Sequence, residues 1–463
     1  MNIVILAAGQ GKRMGPTPAD PLPKVLHPIA GRPMIAHVLD AVRAATAGLA
    51  ANIVVVVGHG AEKVQKAFQD SGNVPSGLTF VEQHPQLGTG HAVRQAAPLF
   101  DASARTLVLY GDVPLISAAT LQRLFESRAD VALLTVQHAQ PDGYGRIVRD
   151  ANGNVRRIVE ERDATADERT LTEVNTGILI APTTQLKRWL AALSNDNAQR
   201  EYYLTDIVAQ AVAQRCSVAT VHSADAEETL GVNSKEQLAM VERIAQRRTA
   251  SGLMERGATL ADPARIDVRG TLEVGAAVSI DVGCIFEGQV HLADGVRIGA
   301  YCVLRDCTIG AGSEVLPFSY LEGAIIGADA RIGPYSRLRP GAQLSDGVHI
   351  GNFVEVKASS LGRGSKANHL AYIGDAVIGA NVNIGAGSIT ANYDGARKHR
   401  TVIEDDVSIG SNAVLVAPVK IGKGATIAGG STISKNAPEG KLTVARAKQT
   451  TLDGWKRPVK GKS

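Results

Sequence analysis

An apolar residue recurs at every sixth position through most of the second half of the chain. The recurring residues are Val268, Val274, Ile280, Phe286, Leu292, Ile298 and Leu304, then, after slips of one residue, Ile309, Val315, Leu321, Ile326, Ile332, Leu338, Leu344, Ile350 and Val356, and finally Ile403, Ile409, Leu415, Ile421, Ile427 and Ile433. Neither an α-helix, with a period of about 3.6 residues, nor an alternating strand, with a period of about 2, produces this spacing. The repeat predicts a parallel β-helix, in which three hexads form a triangular coil of about 18 residues and successive coils stack about 4.8 Å apart.

Within each hexad the apolar side chain is predicted to point into the prism. Glycine often follows it, as in Ile298-Gly299 and Ile332-Gly333, and lets the chain turn a corner. These hexads resemble the left-handed β-helix of the hexapeptide acyltransferases; the left hand is implied by the resemblance, because the period alone does not set it. The resemblance also implies side-by-side trimers. The repeat by itself leaves a structural or oligomerisation rod as the alternative.

Length and composition narrow the class of protein. A chain of 463 residues is long enough for two or three domains, and 48 glycines with 4% aromatic residues suit a β-helix. The net charge of +4 is too small to indicate nucleic-acid binding. None of the four cysteines forms a CxxC pair, and the first apolar segment, Ile3–Ala8, is too short for a membrane span. We expect a soluble, reduced and cytoplasmic protein.

Residues 1–230 alternate strand-like and helix-like segments. The predicted strands are Asn2–Ala8, Ile53–Gly58, Thr106–Tyr110, Val131–Val136 and Gly177–Ala181, and the predicted helices are Met34–Ala45, Ala61–Gln69, Ala118–Ser127 and Thr184–Leu193. This alternation predicts a doubly wound α/β domain whose ligand lies at the carboxyl ends of the strands.

A glycine-containing turn follows the first predicted strand. The segment Leu6–Met14 places Gly9 and Gly11 where backbone N–H groups can approach phosphate oxygens, and Lys12 and Arg13 add positive charge. The spacing matches neither GxxxxGK[ST] nor GxGxxG, so a Walker loop or a dinucleotide fingerprint is not predicted. Taken alone, the segment is equally compatible with a plain tight turn.

Motifs farther along the chain carry a family resemblance. Leu6–Met14 and Leu22–Leu26 resemble the phosphate-binding segments of the sugar-nucleotide pyrophosphorylases, which join a sugar 1-phosphate to a nucleoside triphosphate. The other matching motifs are Gln83 with Gln86–His91, Tyr110–Leu115, Gly143–Arg146, Ile158–Glu160, Asn175–Gly177 and Gly231–Asn233. One departure is the Pro-rich spacer Gly15–Pro21, which is longer than the family pattern and affects only the expected shape of the phosphate loop.

The resemblance implies roles for particular residues. Arg13 and Lys24 would hold phosphates as catalytic residues, and Asp112 with Asn233 would bind Mg²⁺. The residues implied to bind the UDP-sugar are Leu6, Ala7, Gly9, Lys24, Gln83, Gly88, Thr89, Tyr110, Gly145, Glu160, Asn175 and Asn233. A sugar phosphate is already an ionised nucleophile, so the reaction needs positioned cations rather than a general base. As local alternatives, Asp112 suits a turn and Asn233 a helix N-cap.

The middle of the chain predicts a connection between two domains. Residues 231–262 are predicted to form a helical linker, with Val241 and Ile244 on one side. The predicted β-helix occupies residues 263–445, and residues 446–463 form a basic tail, which we expect to be solvated.

A polar stretch interrupts the repeat after Ile384. Residues 391–400 cannot fill an apolar core, so we expect them to loop out of the coil, either as a binding element or as a tolerated insertion. Together with the motifs around it, this stretch resembles the glucosamine-1-phosphate N-acetyltransferases. Those motifs are Arg337–Gly341, Asn352–Lys357, Ser365–Asp375, Asn383–Gly387 and Asn392–Gly395.

The second resemblance implies an acetyl-transfer site. His369 would be the general base, because histidine suits proton removal from an amine near neutral pH. The residues implied to bind the sugar phosphate are Arg339, Lys357, Tyr372 and Asn383, and those implied to bind acetyl-CoA are Asn392, Tyr393, Ser411, Gly429 and Arg446. Gly429 stands where the family usually has alanine, so its contact must be through the backbone. Neighbouring subunits would complete the site.

Together the resemblances cover nearly the whole chain and match the family of bifunctional uridylyltransferase–acetyltransferases. The implied function is acetylation of glucosamine 1-phosphate with acetyl-CoA, then UMP transfer from UTP to give UDP-N-acetylglucosamine, a precursor of cell wall and lipopolysaccharide. The implied partners are small-molecule substrates, Mg²⁺ and two further copies of the chain in a homotrimer. The alternatives are a single-function pyrophosphorylase with a structural β-helix, a carbonic-anhydrase-type metalloenzyme, and a non-catalytic scaffold.

Overall fold

The computed structural model describes residues 1–9, 11–14, 22–70 and 77–458. The chain forms two compact units, Met1–Ala245 and Gln246–Ser463. The Pro-rich spacer Gly15–Pro21 and the last five residues of the basic tail lie outside the described residues. The predicted domain boundaries at residues 230, 262 and 445 stay predictions.

The first unit is built on one mixed β-sheet. Its principal strands lie in the spatial order Val218–His222, Val131–Gln137, Glu173–Pro182, Arg105–Tyr110, Asn2–Ala7, Asn52–Val57 and Leu78–Glu82. Glu173–Pro182 runs antiparallel to both strands beside it, and the other neighbours are parallel. A hairpin of Arg146–Arg149 and Val155–Val159 extends from this antiparallel strand. The expected α/β architecture is therefore confirmed, with one central strand reversed.

Helices cover both faces of this sheet. They are Met34–Ala45, Ala61–Asp70, Thr89–Ala96, Ala118–Glu126, Ala166–Arg169, Thr183–Ala191 and Asp206–Ala213, with 3₁₀ turns at Lys12–Met14, Lys24–Leu26, Ala97–Leu99 and Ala226–Thr229 and a ribbon of Pro28–Ile29 with Arg32–Pro33. Every predicted strand and helix is present. The prediction lacked the partly exposed edge strands Leu78–Glu82 and Val218–His222, because their apolar patterns are weak. It also lacked the hairpin strands and the helices Ala166–Arg169, Asp206–Ala213 and Thr89–Ala96, the last of which carries Gly90 in its first turn.

The strand Asn2–Ala7 is buried on both faces. Ile3 and Ile5 pack on one side of the sheet, while Val4 packs on the other side in a cluster that includes Trp189. Burial on both sides explains why this segment is a continuous apolar run rather than an alternating one. The strand therefore holds the residues that follow it in a fixed position.

The helix Lys235–Glu255 crosses the boundary between the two units. Val241 is buried within the first unit, and Leu253 belongs to the core of the second. The buried Gln246 side chain accepts a hydrogen bond from Val268 N–H at 2.8 Å and donates to the Val268 carbonyl at 2.9 Å.

Over the residues that the structure covers, no helix combines the length and apolar character needed to cross a membrane.

The second unit is a parallel β-helix with three faces. The first face contains Thr259–Leu260, Ser279–Ile280, Arg297–Ile298, Glu314–Val315, Arg331–Ile332, His349–Asn352, Lys366–His369, Asn383–Ile384, Ser408–Ile409, Thr426–Ile427 and Leu442–Thr443. The second contains Tyr320–Glu322, Arg337–Leu338, Glu355–Lys357, Tyr372–Gly374, Ile389–Ala391, Val414–Val416 and Thr432–Ile433. The third contains Ile325–Ile326, Gln343–Leu344, Ser360–Leu361, Ala376–Ile378, Thr401–Ile403 and Val419–Ile421. A 3₁₀ turn, Pro263–Arg265, precedes three longer strands that continue across the second and third faces, Ile266–Val274, Cys284–Leu292 and Val303–Ile309.

The predicted repeat residues form the interior of this prism. Ile309, Ile332 and Ile421 are fully buried, and Val274 alone among the repeat residues is only partly buried. Equivalent residues of successive coils pair in register, as Ile332 does with Ile350. Burial of one such side chain contributes roughly 2 kcal/mol, so the core gains stability coil by coil. The hexad prediction is confirmed.

The two ends of the prism differ. At the first coil, Leu253 of the helix is fully buried in the core cluster. At the last coil, the strand Leu442–Thr443 leaves the Leu442 side chain 65% exposed, and Val444 after it is 52% exposed. The first coil is therefore covered by an apolar contact, and the last coil is open in the part of the chain that the structure describes.

The predicted interruption after Ile384 is an extruded loop. Asn383 pairs with Ser408, 25 positions on, whereas Lys366 pairs with Asn383 only 17 positions on. The loop folds on itself, since Asp394 Oδ1 accepts hydrogen bonds from two following N–H groups and Tyr393 bridges to Lys398. The stacking of the coils thus continues past the extra residues, as expected.

Four aromatic rings stack along the corner between the first and second faces. This aromatic ladder consists of Tyr301, Phe318, Tyr335 and Phe353, with centroids 5.0 to 5.5 Å apart and rings 5 to 19° from parallel. Each side chain is about half exposed, and each backbone has a positive φ, which places the side chain outside the prism. Leu370, 61% exposed and also at positive φ, occupies the next coil.

Candidate active sites

A cavity of about 850 Å³ opens in the first unit where the strands Asn2–Ala7 and Arg105–Tyr110 end. Ligands of open α/β sheets commonly bind at the carboxyl ends of such strands. The predicted site residues that line it are Leu6, Ala7, Gly9, Arg13, Lys24, Gln83, Gly88, Thr89, Tyr110, Asp112 and Asn233. The fold therefore brings most of the residues predicted for the UDP-sugar site to one cavity.

Lys24 bridges the two predicted metal ligands. Its Nζ atom forms an ion pair with Asp112 Oδ2 and donates a hydrogen bond to Asn233 Oδ1 over 3.0 Å. Asn233 is held near Asp112 because Val232 N–H donates to the Asp112 carbonyl at 2.9 Å. Asn233 N–H in turn donates to Gln237 Oε1 at 2.7 Å. Two side-chain oxygens thus converge on one cationic position.

Tyr110 is fixed at the wall of the cavity. Its hydroxyl bonds to Thr89, and burial, followed by the nearby Glu160 and Asp112 carboxylates, raises the pKa of Tyr110. Gly177 is required beside the ring, because a Cβ there would lie 2.5 Å from a ring carbon. Tyr110 is therefore neutral and available as a hydrogen-bond donor.

The remaining predicted sugar-binding residues form a cluster of their own. Gly145, Glu160 and Asn175 do not line the cavity, but Asn175 N–H donates to the Gly145 carbonyl at 2.8 Å. A Cβ at Gly145 would lie 3.5 Å from Glu160 Oε2, and burial raises the pKa of Glu160. Asn175 Oδ1 is buried and accepts no hydrogen bond from the described residues. An unpaired buried acceptor is unfavourable until a ligand group donates to it.

Arg146 supports this cluster and was not among the predicted site residues. Its side chain is fully buried, donates to the Leu171 carbonyl at 3.1 Å and lies 2.8 Å from Glu161 Oε2. It also donates to the Tyr144 carbonyl. Arg146 is the last residue of the Gly143–Arg146 motif. The sequence alone shows a charged residue before an apolar segment and does not show that its side chain is buried.

In the second unit, His369 ends the strand Lys366–His369 at a corner of the prism. The His369 side chain is exposed, and its Nδ1 lies 3.0 Å from Asn352 Oδ1 in the preceding coil. An amide oxygen only accepts, so Nδ1 carries the proton and Nε2 keeps its lone pair. His369 is therefore oriented as a proton acceptor at Nε2.

Cations and carboxylates alternate on the second face beside His369. Arg339 donates to Glu355 Oε1 at 2.9 Å, and Lys357 Nζ lies 3.2 Å from Asp375 Oδ2. Lys398 of the extruded loop contacts Lys357, whose ammonium lowers the pKa of Lys398. Two adjacent ammonium groups favour an anion between them, so this cluster suits a phosphate.

The other predicted acetyl-transfer residues separate into groups. Tyr372 neighbours Glu355 in register, and Asn392 Nδ2 donates to Asp375 Oδ2, so both join the cationic cluster. Asn383 lies on the first face and pairs with Lys366 instead.

The residues predicted along the path of acetyl-CoA lie toward the open end. Arg446 Nη1 donates to the Gly429 carbonyl at 2.9 Å, and Gly430 N–H donates to the Ser411 carbonyl at 2.8 Å. Tyr393 is 62% exposed in the extruded loop, with its hydroxyl donating to Gly395 O. A single chain thus forms two separate groups, the cationic cluster and the residues predicted to bind acetyl-CoA, rather than one closed pocket.

Comparison with known proteins identifies both units. Residues 3–260 match the MobA-like NTP transferase domain, and residues 323–358 and 400–435 match the bacterial transferase hexapeptide (six repeats). The chain is 60% identical to the bifunctional protein GlmU of Cupriavidus pinatubonensis, with 99% of each chain covered. It is 58% identical to the proteins of the same name from Ralstonia pickettii and Burkholderia thailandensis, with 99% or more of each chain covered. The chain belongs to the GlmU family.

Membership in the GlmU family confirms the expected class of enzyme. One unit is a nucleotidyltransferase and the other a hexapeptide acyltransferase, so the chain is a bifunctional transferase. The full-length match favours this assignment over the scaffold and single-function alternatives. Across the described residues, no group of three or more His, Cys, Asp or Glu side chains is arranged to hold a metal ion. The individual residue roles stay predictions.

Lys398 and Asn352 contact predicted acetyl-transfer residues, but sequence reasoning did not single them out. Lys398 lies in the basic run Arg397–Arg400, and only the fold of the loop shows which of these cations meets Lys357. Asn352 lies within a predicted motif, but its contact with His369 depends on the register of two coils.

Lys398→Met is expected to raise the KM for glucosamine 1-phosphate about tenfold with a smaller change in kcat, because one charge-assisted contact to phosphate is lost. Steady-state acetylation kinetics measure both constants. Arg397→Met is the matched control, since it removes a cation from the same loop and leaves the Asp394 turn intact. Equal KM values for wild type and Lys398→Met would show that Lys398 does not contact the substrate.

Proposed function

We propose that the second unit acetylates glucosamine 1-phosphate with acetyl-CoA and that the first unit then transfers UMP from UTP to N-acetylglucosamine 1-phosphate. The final products are UDP-N-acetylglucosamine and pyrophosphate, and the nucleotide sugar would supply cell-wall and lipopolysaccharide synthesis. The observation that carries this proposal is the match to bifunctional GlmU proteins over 99% or more of the chain.

In the proposed uridylyl transfer, a phosphate oxygen of the sugar attacks the α-phosphorus of UTP. A phosphorus–oxygen bond forms there, and the bond to the leaving pyrophosphate breaks. The attacking oxygen is already ionised, so the protein must position anions and offset their charge. Lys24 and Arg13 line the cavity and supply positive groups for this purpose.

Mg²⁺ is the proposed metal of the first unit. Asp112 and Asn233 offer the oxygen ligands that Mg²⁺ prefers, and both oxygens already contact one cation, the Lys24 ammonium. When bound, the metal would offset phosphate charge. Lys24, which lies against the same two oxygens, would supply further positive charge to the substrate phosphates. The donor set therefore fits the metal that the family resemblance implies.

In the proposed acetyl transfer, the sugar amine attacks the thioester carbonyl of acetyl-CoA. His369 Nε2 takes the amine proton as the carbon–nitrogen bond forms, and the carbon–sulfur bond then breaks to release the CoA thiolate. Arg339, Lys357 and Lys398 would hold the sugar phosphate. The backbone N–H near Tyr393 is the proposed donor to the oxyanion.

We propose that the active assembly is a homotrimer. The aromatic ladder is an exposed apolar strip that leads through Leu370 to the neighbouring His369. Extended exposed apolar patches commonly mark contact with another chain. A second copy packed on the ladder would bring its side chains beside His369 and complete the partial clusters described above.

Replacing Phe318 and Tyr335 together by serine is expected to give monomers and to reduce acetylation more than tenfold, while uridylyl transfer persists. The cavity of the first unit is formed by one chain, so it does not need a neighbour. Light scattering after gel filtration and separate assays of both activities provide the readout. Ile325→Ser, a 57% exposed apolar residue on the third face, is the matched control. A trimeric, fully active double variant would contradict the proposed interface.

We further propose the cytoplasm as the location of the protein. All four cysteines are free, and burial raises the pKa of the Cys284 thiol to about 11 and that of the Cys302 thiol to about 12. Unpaired thiols are typical of proteins in reducing compartments.

The test of the proposed function is a mass-spectrometric assay of the full chain with glucosamine 1-phosphate, acetyl-CoA, UTP and Mg²⁺. The expected result is acetylated sugar phosphate followed by UDP-N-acetylglucosamine. Supplying N-acetylglucosamine 1-phosphate directly should bypass the need for acetyl-CoA. A chain that uridylates but never acetylates would reduce the second unit to a structural module.

A further inference from the structure

The Gln83 carboxamide lines the cavity although its side chain is 5% exposed. Its Nε2 atom donates to the Gly88 carbonyl at 3.0 Å and lies 3.1 Å from His91 Nδ1. Gln83 Oε1 accepts no hydrogen bond from the residues that the structure describes. One half of this buried carboxamide is therefore fixed by the protein, and the oxygen is left for a ligand.

The Gly88 carbonyl determines which way the carboxamide faces. If the group were reversed, Gln83 Oε1 would lie 3.0 Å from the Gly88 carbonyl oxygen, and two acceptors would oppose each other. The amide nitrogen must therefore face Gly88. Its second hydrogen then points to His91 Nδ1, which must carry a lone pair rather than a proton.

This tautomer of His91 also determines how the Gln95 carboxamide must face. The Gln95 amide nitrogen lies 2.9 Å from His91 Nε2. A neutral imidazole has one acceptor, which Gln83 occupies at Nδ1, so the Gln95 carboxamide must be turned for its oxygen to accept the Nε2 proton. The side chain is 6% exposed, and burial together with the Arg94 guanidinium lowers the pKa of His91. The ring is therefore neutral at neutral pH, with one donor and one acceptor in use.

The backbone around Gln83 and His91 is also fixed. Gly88 has a φ of 103° and leads into the helix Thr89–Ala96 that carries His91. A Cβ at Gly88 would lie 2.8 Å from the Tyr202 carbonyl oxygen, so only glycine fits there. The distance between His91 and Gln83 is thus set by a rigid turn.

We propose that His91 is a positioning residue for base selection, holding Gln83 so that Oε1 meets the nucleotide base as a hydrogen-bond acceptor. Uracil offers an N–H at position 3, which matches an acceptor. Cytosine has a lone pair at the same position, which opposes it. A site built to bond a donor rejects an analogue that lacks it, because the buried group is left unpaired. The inference rests on the proposed function, uridylyl transfer in this cavity.

The test compares UTP with CTP on the full chain in the wild type, His91→Leu and His91→Asn. The readouts are kcat/KM with N-acetylglucosamine 1-phosphate and Mg²⁺, and calorimetric binding of each nucleotide. His91→Leu removes the acceptor and frees one amide hydrogen, so the preference for UTP should fall about tenfold, through weaker UTP binding and stronger CTP binding. His91→Asn offers an amide oxygen near the place of Nδ1 and should restore most of the preference.

The matched control is His37→Leu. His37 Nε2 bonds to the Ile29 carbonyl at 2.8 Å, away from the cavity, so this variant also loses a histidine hydrogen bond but should keep the wild-type preference. Thermal melting of all variants shows how much stability each change removes. A preference that falls in His91→Leu and is restored in His91→Asn separates orientation of Gln83 from loss of fold.

Several outcomes would overturn the inference. They are an unchanged preference in His91→Leu, an equal loss in His91→Leu and His91→Asn, and a wild type that binds CTP as well as UTP. A wild type that binds UTP in preference to CTP but forms no nucleotide sugar would refute the proposed function, while the binding comparison among variants would still decide the role of His91.

Discussion

His369→Ala is expected to lower the rate of acetylation by about 10²- to 10⁴-fold, the usual contribution of a general base, and to leave uridylyl transfer from UTP to supplied N-acetylglucosamine 1-phosphate unchanged. Only the neutral amine of the sugar can attack the thioester, and its nitrogen must lose a proton as the carbon–nitrogen bond forms. His369 Nε2 is the acceptor that the Asn352 contact leaves free. Assaying the two half reactions separately measures the effect.

Two further variants sharpen this experiment. Asn352→Ala removes the partner that holds the Nδ1 proton, so acetylation should fall about tenfold rather than being lost. His349→Ala is the matched control, since His349 lies one coil earlier on the same face and pairs in register with Lys366. Acetylation by His369→Ala at a rate close to that of the wild type would remove His369 from the mechanism.

Asp112→Asn is expected to lower uridylyl transfer by about 10²- to 10³-fold with acetylation unchanged. The substitution keeps the size of the side chain but removes the negative charge that pairs with Lys24 and that would bind Mg²⁺. Weaker binding of Mg²⁺, measured by titration in the presence of UTP, should accompany the loss. This second readout separates a metal-site defect from a general loss of activity.

Asp150→Asn is the control for that experiment. Asp150 is also a hydrogen-bonded carboxylate, accepting from Asn152 and Asn154 N–H groups in a surface turn. It should leave both activities and metal binding intact. Uridylyl transfer by Asp112→Asn within tenfold of the wild type would show that the carboxylate is not a required ligand.

The hexads were predictable because each carries its own local signal. An inward residue such as Ile332 must be apolar in every coil, so the period appears directly in the sequence. The strand Asn2–Ala7 was predictable for a similar reason, since burial on both faces requires a continuous apolar run. Both features depend on neighbouring residues along the chain.

The contacts within the sites depend instead on residues far apart in sequence. Lys24 meets Asp112 and Asn233 across 88 and 209 positions, so their spacing carries no local pattern. The contact of Lys398 with Lys357 likewise depends on how the extruded loop folds. Such contacts follow only from a known fold or from a family resemblance.

The sequence also carries a signal for the aromatic ladder. Its four residues are spaced by 17 or 18 positions, one coil apart, in a chain with only 4% aromatic residues. Aromatic residues at the period of a whole coil occupy the same corner in successive turns. The ladder is therefore encoded in the sequence by the period of a whole coil, as the core is by the period of the hexad.

The unequal ends of the prism have a thermodynamic consequence. In a solenoid each coil is stabilised mainly by its two neighbours, so a coil with only one neighbour opens at the lowest free energy. Leu253 covers the first coil, whereas Leu442 leaves the last one open to solvent. Fraying should therefore start near Arg446 and proceed toward Gly429 and then Ser411. A cofactor bound there would stabilise the final turns. Part of its binding free energy would order those turns, so the observed affinity would be lower than the contacts alone would give.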